Sequence, residues 1–523
     1  MSCSKIFSGD LPELIYEIIK NFQNDYSTLH SCILVNRLWC RLAIPLLWEN
    51  PFSITTGNYN FIEVYLYNLN DYLKTKINDY QIINYLLPSN TLFNYPSFIK
   101  YLNIYKIALS IERWLKANYK ASNSVNLVTY NSILASVFEF EKLINMSLIK
   151  LFIENEVNLH TLEIGISAAF YKYYNVYVDI SEIILQNPNF IHNIRNLSLS
   201  AENNHCKNAL IKNYISQIIG LHQNLKRILF GHKSLSLYQS LVLSKEFNCS
   251  NTLNTIIFCR VSFNGINNLV NVFENLNVLE SVHIIYCSTL DNFIQQITNL
   301  TKPLKLKSLF IRVNLPTDSL QSLLQKYGNY LENFKCGSYE FEVQQRHLEL
   351  IMKYCINIKF LDLYGIESHI TSKMFGLIEN INQSLNYLSI NVGNCQNELI
   401  LQNLGQILPS KLEYLSLALR LIKVNDFEVF LKNSQDTFFK KFLISNLVRE
   451  YSDDIDILPY IKEYIMKKKR VQYLAIKNTI RNRADVNLSN FKDEVKEFKL
   501  HNIIVLKYID LFTDVNRFIN EID

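Results

Sequence analysis

Glycine and proline are scarce in this chain, with only 12 glycines and 10 prolines among 523 residues. So few turn-breaking residues favour helices and short strands joined by compact turns, and they fit poorly with an all-β sandwich. The ten cysteines are scattered singly, and none forms a Cys-x-x-Cys pair. We therefore predict buried, reduced thiols in a cytoplasmic or nuclear protein, without disulfides or a metal site.

Long apolar runs and catalytic motifs are missing as well. No stretch approaches eighteen continuous apolar residues, and the N-terminal segment has no apolar core of a secretory signal, so we expect no membrane association. The net charge of +5 is small for this length and gives no reason to expect nucleic-acid binding. Phosphate-binding loops, nucleophile elbows and metalloprotease motifs do not occur, so we predict no catalytic residue and no cofactor.

Three polar clusters have simple structural interpretations. The adjacent His205-Cys206 pair and the acidic cluster Asp453, Asp454 and Asp456 are expected in surface turns, because no neighbouring residue completes a ligand set. The basic run from Lys467 to Arg470 fits the C-terminus of a helix, where it would stabilise the helix dipole. A nuclear signal or a contact with an anion is the alternative for that run.

Apolar residues are abundant, at 49% of the chain against 19% charged residues, so the chain can bury a large core. The first fifty residues predict three short amphipathic helices. Asp10 would cap the first helix with Glu13 as its capping-box partner, and Ser27 would cap the second. Pro45 is expected to end the third helix. A unit this small generally needs a partner or an adjoining domain for stability.

Residues 8–50 combine a Leu-Pro opening, spaced apolar residues and a closing Leu-Trp. The positions are Leu11-Pro12, Leu14-Ile15, Ile18, Phe22, Leu29, Val35-Asn36, Trp39, Leu42 and Leu47-Trp48. Together they resemble an F-box. His30-Ser31 departs from the aliphatic or small residues more frequent there. The resemblance implies docking on a Skp-type adaptor and, through it, on a cullin. It places the docking surface on Leu11, Pro12, Leu14, Ile15, Ile18, Leu29 and Val35.

An apolar triad of the form L-x-x-L-x-L recurs through the rest of the chain. Its first positions are Leu159, Ile194, Leu225, Leu253, Leu279, Leu306, Leu331, Ile358, Leu385, Leu412, Phe439 and Val471, with a weak thirteenth at Val495. Single triads arise by chance, but the first positions from Leu331 to Phe439 advance by 27 residues each time. Each period has room for a short strand and about three turns of helix, which indicates a solenoid.

The triads and their period resemble leucine-rich repeats of the long, helix-bearing kind found in F-box receptors. The asparagine or cysteine at the ninth position of that motif is met at Cys287 and Asn314 but is mostly missing elsewhere. We therefore predict an α/β fold: a leucine-rich-repeat solenoid with a parallel sheet on its concave face and helices outside, preceded by a three-helix F-box module. A non-repetitive α/β fold is the alternative.

The predicted organisation has three parts. Residues 1–50 form the F-box, residues 51–150 an irregular helical linker or N-terminal cap, and residues 151–523 about 12 repeats of about 27 residues. A helix is expected from Tyr101 to Leu115. Whether residues 51–150 contain degenerate repeats stays open at this stage.

Side chains beside the triads would line the concave face and bind an unknown target protein. The candidates are Arg227, His283, Phe310, Arg312, Lys335, Asp362, Tyr364, Tyr387, Asn391 and Tyr414, in which aromatic and arginine positions are favoured contacts. The expected function is that of the non-catalytic substrate receptor of an SCF-type cullin–RING ubiquitin ligase. The main alternative is a repeat scaffold without a ligase role, in which the N-terminal helices only cap the array.

Overall fold

The computed structural model describes residues 11–23, 25–54, 59–80, 91–118, 127–166, 174–201, 209–221, 224–232, 248–302, 304–311, 315–337, 341–393, 397–448, 457–480 and 485–522. Contacts divide the chain into two compact units. Unit 1 comprises residues 1–254 with 276–278, and unit 2 comprises residues 255–275 with 279–523. The separation thus falls after Asn254, within the predicted repeats, and the N-terminal helices share a unit with the first of them.

Unit 1 begins with the three predicted helices. They are α1 (Pro12–Lys20), α2 (Tyr26–Ile33) and α3 (Arg37–Leu47). Their core consists of Ile15, Ile19, Leu29, Cys32, Ala43 and Leu46, all buried. The apolar residues recur every three or four positions, so each helix turns one stripe toward the other two. Two further short helices follow, α4 (Phe61–Tyr67) and α5 (Asp71–Asp79).

The rest of unit 1 alternates strands with helices. Its strands are β1 (Tyr101–Asn103), β2 (Thr161–Ile166), β3 (Asn196–Ala201) and β4 (Arg227–Phe230). Its helices are α6 (Ile104–Asn118), α7 (Leu127–Glu154), α8 (Tyr174–Gln186) and α9 (Ala209–Leu221). The four strands are parallel and lie in chain order. Leu102, Leu162, Leu197 and Ile228 stand in register across them.

Strand β1 corrects the sequence interpretation of residues 101–115. The predicted helix starts at Ile104, and the three residues before it form a strand that pairs with β2. Tyr101-Leu102-Asn103 has the alternating burial of a strand, with only Leu102 buried. The segment joins the sheet as a repeat would, and the buried residues Ile99, Leu102 and Ile104 form a triad that the sequence interpretation did not include.

Unit 2 continues the same alternation. Its strands are β5 (Thr255–Cys259), β6 (Ser281–Ile285), β7 (Leu306–Phe310), β8 (Asn333–Gly337), β9 (Phe360–Ile366), β10 (Tyr387–Val392), β11 (Tyr414–Arg420), β12 (Phe439–Val448) and β13 (Val471–Ile480). They are parallel and lie in chain order. The helices between them are α10 (Leu269–Asn275), α11 (Leu290–Ile297), α12 (Thr317–Tyr327), α13 (Phe341–Tyr354), α14 (Thr371–Asn380), α15 (Asn397–Ile407), α16 (Val424–Asn433) and α17 (Leu458–Ile461).

The triads explain this register from β7 onward. The residue at the fourth position of the L-x-x-L-x-L motif pairs with the same position in the next repeat. This series runs from Leu309 through Phe334, Leu361, Leu388, Leu415 and Phe442 to Leu474. All seven side chains are completely buried, so each repeat covers the apolar residues of its neighbour. The parallel, repeating α/β sheet predicted from the sequence is therefore present.

The pairing between β6 and β7 departs from the even phase. Ile284, a sixth triad position, stands opposite Leu309, a fourth position, and the register shifts between Val282 and His283. Leu279 and Leu306 are one period of 27 residues apart in the sequence, but their motifs are not aligned in the sheet. Cys287, at the ninth position of its motif, donates its thiol hydrogen to the carbonyl of Phe258 across 3.4 Å.

The C-terminal part of unit 2 is not a repeat. The weak thirteenth triad was wrong, because Val495, Phe498 and Leu500 lie on helix α18 (Lys492–Leu500). Strand β14 (Val486–Asn487) pairs antiparallel with β13, and β15 (Ile504–Val505) pairs parallel with it. These two short strands cover the open edge of β13, which would otherwise offer unpaired backbone groups. Helices α19 (Tyr508–Leu511) and α20 (Val515–Glu521) follow.

Candidate functional site

The N-terminal three-helix unit combines a closed core with exposed apolar side chains. Leu14 on α1 is 41% exposed, and Leu34 and Val35 between α2 and α3 are 75% and 48% exposed. Exposed leucines are ordinary when isolated, but these belong to a unit only about forty residues long. Such a unit has few apolar residues to spare, so this exposed set marks a candidate docking surface.

The seven residues predicted to bind the adaptor fall into two groups. Leu14 and Val35 are exposed, and Leu11, Pro12 and Ile18 are half-buried. Ile15 and Leu29 are completely buried in the three-helix core. The last two correct the predicted surface, because their side chains face the other helices and support the surface from beneath.

Two helix starts are set by side-chain caps. Asp25, not Ser27, caps α2, because its carboxylate accepts the Thr28 backbone N–H across 3.0 Å. Asn36 caps α3 by accepting the Trp39 backbone N–H at 3.0 Å. Hydrogen bonds from Thr28 lower the pKa of Asp25. The predicted capping residue Asp10 lies outside the described residues.

Pro45 does not end α3, contrary to the prediction. The helix runs to Leu47, and the Trp48 N–H still bonds to the Ile44 carbonyl across 3.1 Å. A proline near the end of a helix removes one backbone donor while the remaining bonds of the last turn can still form. Beyond it, the Trp48 ring packs on Tyr65 and Tyr95, with centroids 5.4 and 4.4 Å away.

Several predicted target-binding residues form one aromatic row across the sheet of unit 2. Phe310, Phe360, Tyr387 and Tyr414 project from β7, β9, β10 and β11. The ring centroids of Phe360 and Tyr387 are 3.8 Å apart, and those of Tyr387 and Tyr414 are 3.9 Å apart, both stacked. Phe310 stacks on Phe360 at 5.4 Å. We call these four residues the aromatic row.

The C-terminal segment 504–522 covers the aromatic row. Phe518 lies 4.7 Å from the ring of Phe310 and 5.1 Å from that of Phe360. Leu511 packs in a buried cluster with Tyr414, and the Tyr414 hydroxyl accepts the Thr513 backbone N–H across 3.4 Å. Phe310 and Tyr414 are therefore only 1% and 5% exposed. The part of the predicted target-binding face that surrounds the aromatic row is therefore covered by residues 504–522.

Two polar pairs stand close to the aromatic row. Lys335 on β8 forms an ion pair with Asp362 on β9 across 2.5 Å. Burial disfavours the charge of Lys335, but the attraction of Asp362 outweighs it and raises the pKa of the lysine. His283 is 4% exposed, and its Nδ1 lies 2.7 Å from the Ser308 hydroxyl. Each of these four side chains thus has a polar contact within unit 2.

The remaining candidates are dispersed. Tyr364 is 46% exposed, and Asn391 and Arg227 are half-buried. Arg227 belongs to unit 1, whereas Tyr364 and Asn391 belong to unit 2. Arg312 lies outside the described residues, together with Asn314, His205-Cys206 and the three aspartates at 453, 454 and 456. Their assigned roles stay predictions.

The basic run ends in a structural residue. Arg470 is 5% exposed and donates to the carbonyls of Leu431, Ser434 and Thr437 at the C-terminus of α16. Burial lowers its pKa to about 10. Lys467 pairs with Glu463, which is one turn earlier. These contacts favour the structural interpretation of the run.

A groove in unit 1 brings together residues that the predicted sites omitted. Its volume is about 530 Å³, and it is lined by Lys100, Asn158, His160, Asn193, Arg195, Asn224, Lys226 and Thr252. The four basic residues immediately precede β1, β2, β3 and β4. A signal for them exists in the sequence. The second residue of the L-x-x-L-x-L motif is basic in the first three listed triads, as His160, Arg195 and Lys226.

Within the described residues, no three histidine, cysteine or acidic side chains are grouped to hold a metal ion. The described cysteines are free thiols, and burial raises the pKa of Cys287, Cys336 and Cys355 to about 12. None of the described helices has the length and apolar character needed to cross a membrane.

Comparison with known proteins adds no assignment. No protein-family model matches the chain, and no curated protein is significantly similar to it in sequence. The functional argument therefore depends on the residues and contacts above.

Proposed function

We propose that this protein is the substrate receptor of an SCF-type cullin–RING ubiquitin ligase. In this proposal the three N-terminal helices are an F-box that docks on a Skp-type adaptor, and the repeats are leucine-rich repeats that bind a target protein. The receptor performs no bond chemistry. It raises the concentration of the target near an activated ubiquitin carrier.

One observation carries the proposal: the exposed apolar set of Leu14, Leu34 and Val35 on a three-helix unit with a complete core. Leu11 at the start of α1, and Pro12 and Ile18 within it, are half-buried and add to the apolar residues that this unit leaves accessible. An interface needs such an apolar centre surrounded by polar residues. The sequence resemblance names the partner for which this surface is suited.

The test is a binding measurement between the full chain and a purified Skp-type adaptor. Replacing Leu14 and Val35 by aspartate should weaken adaptor binding by about 100-fold or more, because burial of each side chain contributes roughly 1.5–3 kcal/mol. Both positions are exposed, so the fold should persist. Leu500→Asp is the matched control, since Leu500 is 83% exposed on α18.

Failure of the unmodified chain to bind the adaptor would refute the ligase proposal. Equal binding by the double variant would refute the assigned surface. Circular dichroism of the variants shows separately whether they are folded, so a loss of binding can be distinguished from unfolding.

A repeat scaffold without a ligase role is the second candidate, and a specific contact favours it. The backbone carbonyl of Glu49, just after α3, accepts the N–H groups of Lys100 and Tyr101 at 3.0 and 3.2 Å. The buried Glu49 carboxylate also pairs with Lys100. The N-terminal helices thus cap β1. On this alternative, deleting residues 1–50 destabilises unit 1, and the adaptor does not bind.

A further inference from the structure

The basic residues of the unit 1 groove form an ordered row. The backbone N–H of His160 donates to the carbonyl of Lys100 at 2.8 Å, and Arg195 donates to His160 at 2.9 Å. Lys226 donates to Arg195 at 2.8 Å. These bonds hold the four residues side by side on neighbouring strands, which are spaced about 4.8 Å apart. We call Lys100, His160, Arg195 and Lys226 the basic row.

A second row runs parallel to the first. Asn158, Asn193 and Asn224 each stand two positions before a member of the basic row, with Thr252 at the next place. The residues between the two rows, Leu159, Ile194 and Leu225, are buried. Alternate residues of an extended chain point to the same side, so both rows face the groove while the apolar residues face the core.

The charge of the basic row is poorly compensated. The buried carboxylate of Glu49 pairs with Lys100. The side chains of Arg195 and Lys226 make no hydrogen bond or ion pair with any residue that the structure describes. Partial burial and the charges of Arg195 and Lys100 lower the pKa of His160, which indicates a positive potential in the groove.

Unit 2 shows how the same position is usually neutralised. The equivalent residues Lys307, Glu332 and Lys359 alternate in sign, and Glu332 pairs with both lysines. Like charges on adjacent strands destabilise a sheet, whereas opposite charges stabilise it. The adjacent charges of Arg195 and Lys226 therefore reduce stability, and their placement is explained if an external anion neutralises them.

The asparagine row selects among anions. An asparagine side chain has both donors and an acceptor, so it can bond to the N–H and C=O of a peptide group. Neither phosphate groups nor carboxylates alone use both. The described structure leaves the amides of Asn158 and Asn193 without a partner. A basic row beside an amide row therefore matches an extended peptide with acidic side chains.

We propose that the groove of unit 1 binds an extended acidic peptide segment, with Arg195 and Lys226 of the basic row pairing with its carboxylates and the asparagine row bonding to its backbone. The basic row spans roughly 15 Å, which corresponds to about five extended residues. If the segment belongs to the target of the ligase, this proposal names the class of target and in that respect depends on the proposed function. The peptide binding itself needs no adaptor.

Fluorescence anisotropy of the full chain with a labelled octaglutamate peptide tests the proposal. Octaglutamate should bind, and binding should weaken with added salt. Octaglutamine and octalysine should not bind. Reversing two members of the basic row, Arg195→Glu with Lys226→Glu, should weaken binding at least about tenfold. Lys76→Glu with Lys150→Glu changes the net charge equally on exposed helix positions and should leave affinity unchanged.

A second variant distinguishes a peptide from other polyanions. Changing Asn158, Asn193 and Asn224 to alanine should weaken octaglutamate binding while leaving the weaker binding of an oligothymidylate or inorganic polyphosphate unaltered. All three asparagines are exposed, so the change should not disturb the fold.

Four results would overturn the proposal. These are no octaglutamate binding, unchanged binding after charge reversal, an equal loss in the lysine control, and tighter binding of the oligonucleotide or polyphosphate than of octaglutamate. Peptide binding without adaptor binding would refute the ligase function and leave the peptide-binding proposal standing. Adaptor binding without peptide binding would refute the peptide-binding proposal and leave the ligase function standing.

Discussion

Phe518 should hold the C-terminal segment over the aromatic row, and its replacement by alanine should release that segment. Its ring is buried against Phe310 and Phe360, with centroid separations of 4.7 and 5.1 Å. A buried phenylalanine changed to alanine costs about 3–5 kcal/mol, and each aromatic pair contributes about 0.5–1.5 kcal/mol of interaction. We use 3 kcal/mol as a lower estimate for this residue at a chain end.

That energy should act locally. Segments near a terminus open independently of the core when they have few anchoring contacts. A loss of about 3 kcal/mol corresponds to roughly a 100-fold increase in the open population. Amide hydrogen exchange followed by mass spectrometry should therefore show exchange about 100-fold faster in residues 504–522. Strands β9–β11 should keep their protection.

Ile509 provides the matched control. It lies in the same segment but is 71% exposed, so Ile509→Ala should leave exchange unchanged. If Phe518→Ala leaves the segment protected, the assigned anchoring is refuted. If β9–β11 lose protection to the same extent, the segment is an integral part of unit 2 rather than a separable cover.

Three further predictions concern stability. Burial lowers the pKa of His347, so the unfolded chain binds a proton more readily than the folded protein does. The free energy of unfolding should therefore fall as the pH decreases below about 6.5. Urea unfolding of His347→Gln should lack this pH-dependent loss of stability. Arg470→Lys should lower stability by about 3 kcal/mol in the same assay, because the single ammonium nitrogen cannot reach all three carbonyls that the separate guanidinium nitrogens contact. Lys467→Ala should have little effect. Asp25→Ala should cost about 1 kcal/mol of thermal stability by removing a cap, and a larger loss in Ser27→Ala would contradict the assigned cap.

The elements predicted most accurately from the sequence were those with local causes. The spacing of Leu331, Ile358, Leu385 and Leu412 predicted strands β8–β11 and the helices between them, because a buried triad and an amphipathic stripe are properties of short segments. The three N-terminal helices were predicted for the same reason. Their caps were less accessible, since Asp25 and Ser27 are both suitable capping residues and only the geometry selects one.

The sites depended on contacts between distant segments. The aromatic row was partly predicted: Tyr387 and Tyr414 occupy the third position of their motifs and Phe310 the fifth position of its motif, and all three were expected beside the triads. Its cover was not predicted, because Phe518 meets Phe310 only after the C-terminal segment folds back over the sheet. The basic row was overlooked because Lys100, His160, Arg195 and Lys226 are tens of residues apart, and the triad that contains Lys100, Ile99/Leu102/Ile104, was not recognised in the sequence.

The sequence by itself determined that apolar triads would recur as strands and that helices would alternate with them, because burial of each triad follows from a pattern of a few residues. Only the tertiary structure decided the register of β6 on β7, the occupant of the aromatic row and the alignment of four basic residues along one edge. Those features arise from pairing between strands and from the return of a terminal segment, and neither is encoded in the spacing of any single repeat.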